Sequence, residues 1–169
     1  MSINVFFLLV SGLLLGMYGY FTPSYRDEGV QGEVPKIHLF SFSLYEISHR
    51  GVDHILEGQE GKKFDDRYEI TSAKFSDNTK AQFQTIRSDK ALYRDDILQI
   101  DGNVLYHRAD GLEFRSQEGK YDTEKSVVTT QGPFVITQNA NRVDGRRLYY
   151  NTQSDIVSAN AVRGSYQLD

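Results

Sequence analysis

Apolar and polar residues alternate through most of the chain after Pro35. In FSFSLYEI the apolar positions include Phe40, Phe42 and Leu44, and LQIDGNVLY (98–106) alternates in the same way. A period of two places the apolar side chains on one face of a strand and the polar ones on the other. No window has the spacing of an amphipathic helix, so the pattern predicts an all-β body of half-buried strands.

Short polar segments separate these strands. They occur at 76–80, 94–96, 109–111, 122–126, 139–141 and 151–155. Asp, Asn, Gly and Ser favour turns because they bond the local backbone or tolerate unusual φ angles. Short strands separated by regular polar turns are typical of a β-sandwich, barrel or roll.

The strands belong to a repeated unit. IRSDKALY (86–93), FRSQEGKY (114–121) and VDGRRLYY (143–150) each have an apolar residue, Ser or Gly two positions later, and Tyr seven positions later. The weaker copy YEITSAKF has Phe75 at the Tyr position. One such strand–turn–strand unit cannot bury its own apolar face, so the copies are expected to stack as successive rungs of a roll.

Aligning the repeats predicts which residues share a column on the inner face. The expected sets are Leu98 with Val128 and Val157, Ile100 with Thr130 and Ala159, Val104 with Phe134, and Tyr106 with Ile136.

The start of the chain differs from the rest. Residues 3–21 carry no charge, and as a helix they would rise roughly 28 Å, close to the thickness of a bilayer core. No basic residue precedes them and no A-x-A-like site follows, so we expect a retained membrane anchor (1–21) rather than a cleaved signal. Gly12 and Gly16 would allow another helix to pack closely, although Gly is common in membrane spans. Residues 22–34 are expected to form a linker and 35–169 the β body.

Composition argues against several classes of function. The net charge is −4 and cysteine is absent, which removes an electrostatic footprint for nucleic acid and any thiol chemistry. GQEGKKF (58–64) departs from the phosphate-loop pattern and is predicted to be a solvated turn. Paired aspartates fall in turn segments, so we expect no enzymatic activity, no cofactor and no metal. The histidines also lack metal-ligand spacing: His38, His49, His54 and His107.

The repeats resemble the OstA-type β-jellyroll family of lipopolysaccharide export. IRSDKALYRDDILQIDGNVLY (86–106) has that family's strand ending in Tyr, polar turn, and alternating strand ending in Gly-x-Val. Gly132 and Phe134 repeat the pattern loosely. VPKIHLFSFSLYEI (34–47) is similar to the first strand of the single-span, LptC-like inner-membrane members. Those members usually have basic residues before the span, and this chain has none.

The resemblance implies a non-enzymatic protein of the Lpt bridge. One inner-membrane span would precede a periplasmic β-jellyroll that accepts lipopolysaccharide from an inner-membrane ABC transporter and passes it to a soluble bridge protein of the same fold. The inner columns would form the lipid-binding groove, and the first and last strands would be edges for partners. The expected groove residues are Ile70, Phe75, Phe83, Ile86, Leu98, Ile100, Val104, Tyr106, Phe114, Val128, Phe134, Ile136 and Val143. The expected partner-edge residues are Phe40, Phe42, Leu44, Ile156, Val157, Ala159 and Ala161.

Several alternatives remain open at this point. The inner columns could form a closed core, in which case the chain would be a structural scaffold of an envelope complex that binds no lipid. The chain could also be the soluble bridge component with a cleaved signal. Tyr93, Tyr121 and Tyr150 are expected to be structural anchors whose hydroxyls bond at the sheet rim, with direct ligand contact as the alternative.

Overall fold

The computed structural model describes residues 33–49 and 51–167, which form ten antiparallel strands. The predicted all-β body is confirmed. The predicted membrane anchor, Gly12, Gly16 and nearly all of the linker lie outside the described residues. Within the described ranges, no helix has the length and apolar character needed to cross a membrane. The strands are β1 (Ile37–Ser48), β2 (Gly51–Lys63), β3 (Tyr68–Asp77), β4 (Gln84–Arg94), β5 (Ile97–Arg108), β6 (Leu112–Asp122), β7 (Val127–Thr129), β8 (Pro133–Gln138), β9 (Asn141–Asn151) and β10 (Ile156–Ser165).

The strands form a single meandering sheet. From β1 to β6 and from β9 to β10, each strand pairs with the next in sequence, whereas β7 and β8 each pair with β6 and β9 and share the place between them. The order begins at β1 and ends at β10, so these two strands are the edges, as the sequence predicted. The stacking of strand–turn–strand units is also confirmed, since β4–β5, β6 to β8, and β9–β10 follow one another across the sheet.

The predicted turns coincide with the connections between strands. A two-residue turn joins β4 to β5, where Arg94 pairs with Ile97 and the two intervening residues, Asp95 and Asp96, have φ angles of 49° and 59°. Positive φ at both central residues defines a type I′ turn, whose twist matches that of a β-hairpin. Asp adopts this backbone more readily than most residues because its short side chain bonds locally.

Most strands bend near their middle, along one line that crosses the sheet. Positive φ angles occur inside strands at Ser41, Ser72, Asn103, Arg147 and Ala161, and ladder pairing is interrupted at each of them. The break between β7 and β8 falls on the same line. A left-handed residue bends a strand as a β-bulge does, so the strands pass around a corner here. We call this feature the corner line.

The corner line changes which residues face inward. On β4, Ile86 and Ser88 face inward before the corner, and Ala91 and Tyr93 face inward after it. A three-residue step from Ser88 to Ala91 therefore replaces the usual two-residue step. In a regular strand, residues seven apart lie on opposite faces. The seven-residue spacing between an apolar residue and Tyr in each repeat is thus the sequence signature of the corner.

The Ser or Gly of each repeat lies at the corner because there is no room for a larger side chain. Ser88 and Ser116 are buried. A Cβ added at Gly145 would lie 2.6 Å from Cζ of Phe134, closer than real Cβ atoms approach carbon. The small residue thus lets a neighbouring aromatic ring pack directly on the strand backbone.

The prediction for YEITSAKF is wrong. This segment lies on β3, which is antiparallel to β4, so Tyr68 pairs with Tyr93 and Phe75 pairs with Ile86. Phe75 therefore occupies the apolar position of the repeat rather than the Tyr position. The pattern match had assumed that the copy runs in the same direction as the others.

The prediction of a solvated turn at GQEGKKF is also wrong. Residues 58–63 belong to β2, and Phe64 is 6% exposed. The preceding copy of the repeat is LEGQEGKK (56–63), in which Leu56 pairs with Phe75 and Lys63 stands where the others have Tyr. Its Gly58 accommodates the ring of Phe42, whose Cζ would lie 2.8 Å from an added Cβ.

Five inward-facing columns cross the sheet, each with residues from successive strands. The tyrosine column contains Lys63, Tyr68, Tyr93, Leu98, Tyr121, Val128, Tyr150 and Val157. The aliphatic column contains Leu39, Gly61, Ile70, Ala91, Ile100 and Gly119. The corner column contains Phe42, Gly58, Ala73, Ser88, Val104, Ser116, Phe134 and Gly145. The aromatic column contains Leu44, Leu56, Phe75, Ile86, Tyr106, Phe114, Ile136 and Val143. The polar column contains Glu46, His54, Asp77, Gln84 and Arg108.

These columns confirm most of the predicted alignment. Leu98, Val128 and Val157 share the tyrosine column, Val104 and Phe134 share the corner column, and Tyr106 and Ile136 share the aromatic column. The register of a sheet with one buried face is set by this apolar pattern, which explains why alignment of the repeats recovered it.

Gly145→Ala is expected to destabilise the fold by about 2 kcal/mol, because its methyl group would overlap the ring of Phe134 in a tightly packed place. Urea denaturation followed by circular dichroism measures the change. Gly132→Ala is the matched control, since a Cβ there would meet its nearest neighbour, Oε1 of Glu118, at an ordinary 3.5 Å. Equal losses in both variants would contradict the role given to the corner.

Candidate functional site

The inner face collects twelve of the thirteen predicted groove residues. They lie in four adjoining columns and thus form one continuous apolar surface. Ile70 and Ile100 are in the aliphatic column, Leu98 and Val128 in the tyrosine column, Val104 and Phe134 in the corner column, and Phe75, Ile86, Tyr106, Phe114, Ile136 and Val143 in the aromatic column.

Phe83 lies apart from this surface. It precedes β4 and lines a small cavity together with Ile55 and Ser76. Those two residues pair with each other one position away from Leu56 and Phe75, so they face the opposite side of the sheet. Phe83 was predicted as a groove residue because it is aromatic. It lies just before β4 and is not on the inner face.

The apolar surface is only partly covered by the protein itself. Val104 and Phe134, near the corner, are 2% and 3% exposed. Towards β1 the same face opens: Phe75 is 38%, Tyr68 is 45% and Leu44 is 50% exposed. Large apolar side chains usually lie in a closed core, so a graded opening of this kind is typical of a surface that another molecule covers.

Sequence reasoning missed part of the lining. Leu39, Leu56, Ala91 and Leu148 also lie on the inner face or in its core, and Leu148 is 7% exposed. Leu56 could have been found from the repeat, because LEGQEGKK is a further copy of it. That copy is hard to recognise because glycines and lysines replace the usual apolar and aromatic residues. Leu148 directly precedes the two consecutive tyrosines, Tyr149 and Tyr150. Its carbonyl accepts a hydrogen bond from the amide of Thr130 at 2.9 Å.

The tyrosine column forms one rim of the inner face, and its hydroxyls bond to turns. Tyr93 donates to Asp96 at 3.0 Å and Tyr150 donates to Asp155 at 3.0 Å. Each hydrogen bond to a carboxylate raises the pKa of its tyrosine, since ionisation would place two negative charges together. The predicted structural anchoring is confirmed for these two residues. The hydroxyl of Tyr121 has no such bond within the part of the chain that the structure describes.

The polar column forms the opposite rim and is joined by hydrogen bonds across five strands. His54 bonds Glu46 through Nδ1 at 2.8 Å and approaches Asp77 through Nε2 at 3.4 Å. Gln84 then donates to Asp77 at 3.0 Å, and its carbonyl accepts from Tyr106 at 2.7 Å. Burial opposes ionisation of Asp77, but bonds from Thr79 and Gln84 outweigh it and lower its pKa.

Among residues 33–49 and 51–167, no three His, Asp or Glu side chains lie close enough together to hold a metal ion. Asp66 lies in the turn after β2, where it pairs with Arg67 at 2.9 Å and with Arg94 at 3.0 Å. The arrangement of the columns provides an apolar floor between two polar rims, which suits an amphiphilic ligand.

Comparison with known proteins identifies the family. The profile described as "Lipopolysaccharide-assembly, LptC-related" matches residues 5–167. The fold is similar to that of LptH from Pseudomonas aeruginosa, the LptA-homologous periplasmic component of the conserved lipopolysaccharide transport device, with a TM-score of 0.56 and 11% sequence identity. That similarity covers 68% of this chain and 95% of LptH, and at such low identity it concerns the fold alone. No curated protein sequence matches the chain.

Stability is expected to fall as the pH rises through the neutral range. Glu46 raises the pKa of His54 by a hydrogen bond, partly opposed by burial, and Asp77 and Asp53 act in the same direction as Glu46. A raised pKa means that the folded state favours the protonated imidazole. This stabilisation is complete below the ordinary pKa of 6.5 and is lost as the pH passes the raised value. Urea midpoints measured from pH 5.5 to 8.5 check it.

Glu46→Gln is expected to flatten that pH dependence, because the main cause of the shift is removed. Glu124→Gln, in the exposed turn before β7, should leave it unchanged. A wild-type midpoint that rises between pH 6 and 8 would contradict the assignment.

Proposed function

The chain belongs to the LptC-related family of lipopolysaccharide assembly, and from that premise we propose that it is a non-enzymatic conduit for lipopolysaccharide. The inner face of its β-jellyroll takes up the acyl chains of the glycolipid from an inner-membrane ABC transporter. It then passes them to a soluble periplasmic bridge protein of the same fold. The observation that carries the proposal is the continuous apolar surface, half-covered and open towards β1.

The physical need for such a surface follows from the ligand. Each methylene group of an acyl chain costs about 0.8 kcal/mol to expose to water. A glycolipid with several chains therefore requires an apolar path with few interruptions. The aliphatic, corner and aromatic columns provide one, since β1 to β6, β8 and β9 all contribute to them.

The two edge strands suit addition of neighbouring proteins. An edge leaves backbone N–H and C=O groups unpaired, and a strand from a partner satisfies them by β-augmentation. We assign β1, with Phe40, Phe42 and Leu44, to the transporter side. We assign β10, with the predicted positions from Ile156 to Ala161, to the soluble bridge protein. Exposed apolar residues on both strands support this, including Phe40 at 67% and Val157 at 60%.

The anchor completes the proposed arrangement. Residues 1–21 would remain in the inner membrane as a single span, with Gly12 and Gly16 available for packing against a membrane helix. Residues 35–169 would lie in the periplasm. The sequence contains no nucleotide-binding motif, so the energy for transport would come from the ATPase of the transporter.

Photocrosslinking in cells with an active transporter tests the conduit. A benzoylphenylalanine at Ile70, Phe75 or Ile100 is expected to capture lipopolysaccharide, because these positions lie on the partly exposed apolar surface away from the buried corner. The same group at Gln99 or Asn103 is the control, since both side chains are exposed on the other face of β5. Immunoblotting for lipopolysaccharide on the protein band measures the yield.

Equal labelling of both faces would contradict an inner lipid path. Absence of labelling at all five positions would support a scaffold that binds no lipid.

Intact mass spectrometry of the protein extracted from membranes tests the anchor. The mass is expected to include residues 1–21. A mass that begins after this segment would instead support a soluble bridge component with a cleaved signal.

A further inference from the structure

The apolar surface ends in two rims that differ in chemistry. The polar column borders it beyond the aromatic column, and the tyrosine column borders it beyond the aliphatic column. An amphiphile lying on this surface has one polar end, so the two rims are not equivalent places for it.

The polar rim is already occupied by its own hydrogen bonds. The links from Glu46 through His54, Asp77 and Gln84 to Tyr106 use most of their donors and acceptors. The rim continues with Arg108, which is held by two bonds to Asp110, at 2.9 and 2.8 Å. Arg108 is the permanent cation of this rim, and its pairing with Asp110 leaves it little free charge for an anionic ligand.

The tyrosine rim has exposed side chains, whereas the side chains of the polar rim are bonded to one another. Tyr68 and Tyr93 are 45% and 36% exposed, with ring centroids 6.4 Å apart on neighbouring strands. The ammonium group of Lys63, on the next strand, lies 5.1 Å from the centre of the Tyr68 ring. The bond from Tyr93 to Asp96 fixes its ring without covering it. Together these three residues present two aromatic faces and one cation beside the apolar surface.

We propose that Lys63, Tyr68 and Tyr93 form the subsite for the anionic sugar head group of the glycolipid, with its acyl chains extending across the aliphatic column towards Phe75. This rests on the proposed function and adds an orientation to it. Tyrosine suits a boundary between apolar and wet regions because its ring is apolar and its hydroxyl is polar. Lysine binds phosphate as a point charge. Neighbouring strands lie about 4.8 Å apart, so the three residues span about 10 Å along the rim, enough for two sugar rings.

The test compares the part of the glycolipid that reaches the tyrosine rim with the part that reaches the aromatic column. Benzoylphenylalanine replaces Tyr68 or Phe75 in the full chain, in cells with an active transporter. Tandem mass spectrometry of the crosslinked peptides then identifies the bonded fragment of lipopolysaccharide. Adducts at position 68 are expected on the sugar, and adducts at position 75 are expected on acyl chains. The same fragment at both positions, or the reverse assignment, would overturn the inference.

A second variant separates head-group binding from a general structural effect. Lys63→Gln is expected to lower the yield of adducts at position 68 about threefold, as suits loss of one partly exposed ion pair. Lys62→Gln is the control, since Lys62 points to the other face and pairs with Glu60 at 2.8 Å. An equal loss in both variants would also overturn the inference. If positions 68 and 75, and inner positions such as Ile100, capture no lipid, the proposed function itself fails.

Discussion

The alternation of inward and outward side chains breaks at the corner line, and this break decides which residues form the inner face. A regular strand with a seven-residue spacing between Ile86 and Tyr93 would put these two side chains on opposite faces. On β4 a three-residue step replaces the usual two-residue step at the corner line, beside the left-handed Ser72 and Asn103 of the two neighbouring strands, and both side chains face inward. Small residues such as Ser88 and Gly145 make the bend possible by letting neighbouring rings lie against the backbone. The two halves of each strand thereby contribute to one apolar surface.

The same bend determines the chemistry of the site. Val104 and Phe134 at the corner are almost fully buried, whereas Phe75 and Tyr68 in the outer columns are partly exposed. The outer columns then remain available for a ligand, and hydrogen-bonded polar groups or tyrosines border them. Because β1 and β10 are each paired along one side only, neighbouring domains of the same fold would extend the sheet at these edges.

Much of the fold was readable from sequence because its determinants are local. Alternation predicted the strands, Asp-rich segments predicted the turns, and alignment of the repeats recovered columns such as Val104 with Phe134. The errors have physical causes. β3 runs antiparallel to β4, so the order of the repeat positions is reversed on it. Phe75 was therefore assigned to the Tyr position although it pairs with Ile86. Glycine and lysine in LEGQEGKK resemble a turn by composition, whereas their role depends on the ring of Phe42 from another strand. The hydrogen-bonded polar rim joins residues far apart in sequence and had no local signal.

We propose that the inner face remains open along one side and receives acyl chains. A high-resolution structure of the full chain with bound lipopolysaccharide tests this most directly. An open trough predicts acyl chains lying along the aliphatic and aromatic columns, in contact with residues such as Ile100 and Phe75. An inner face sealed by its own side chains, with glycolipid bound elsewhere, would contradict it.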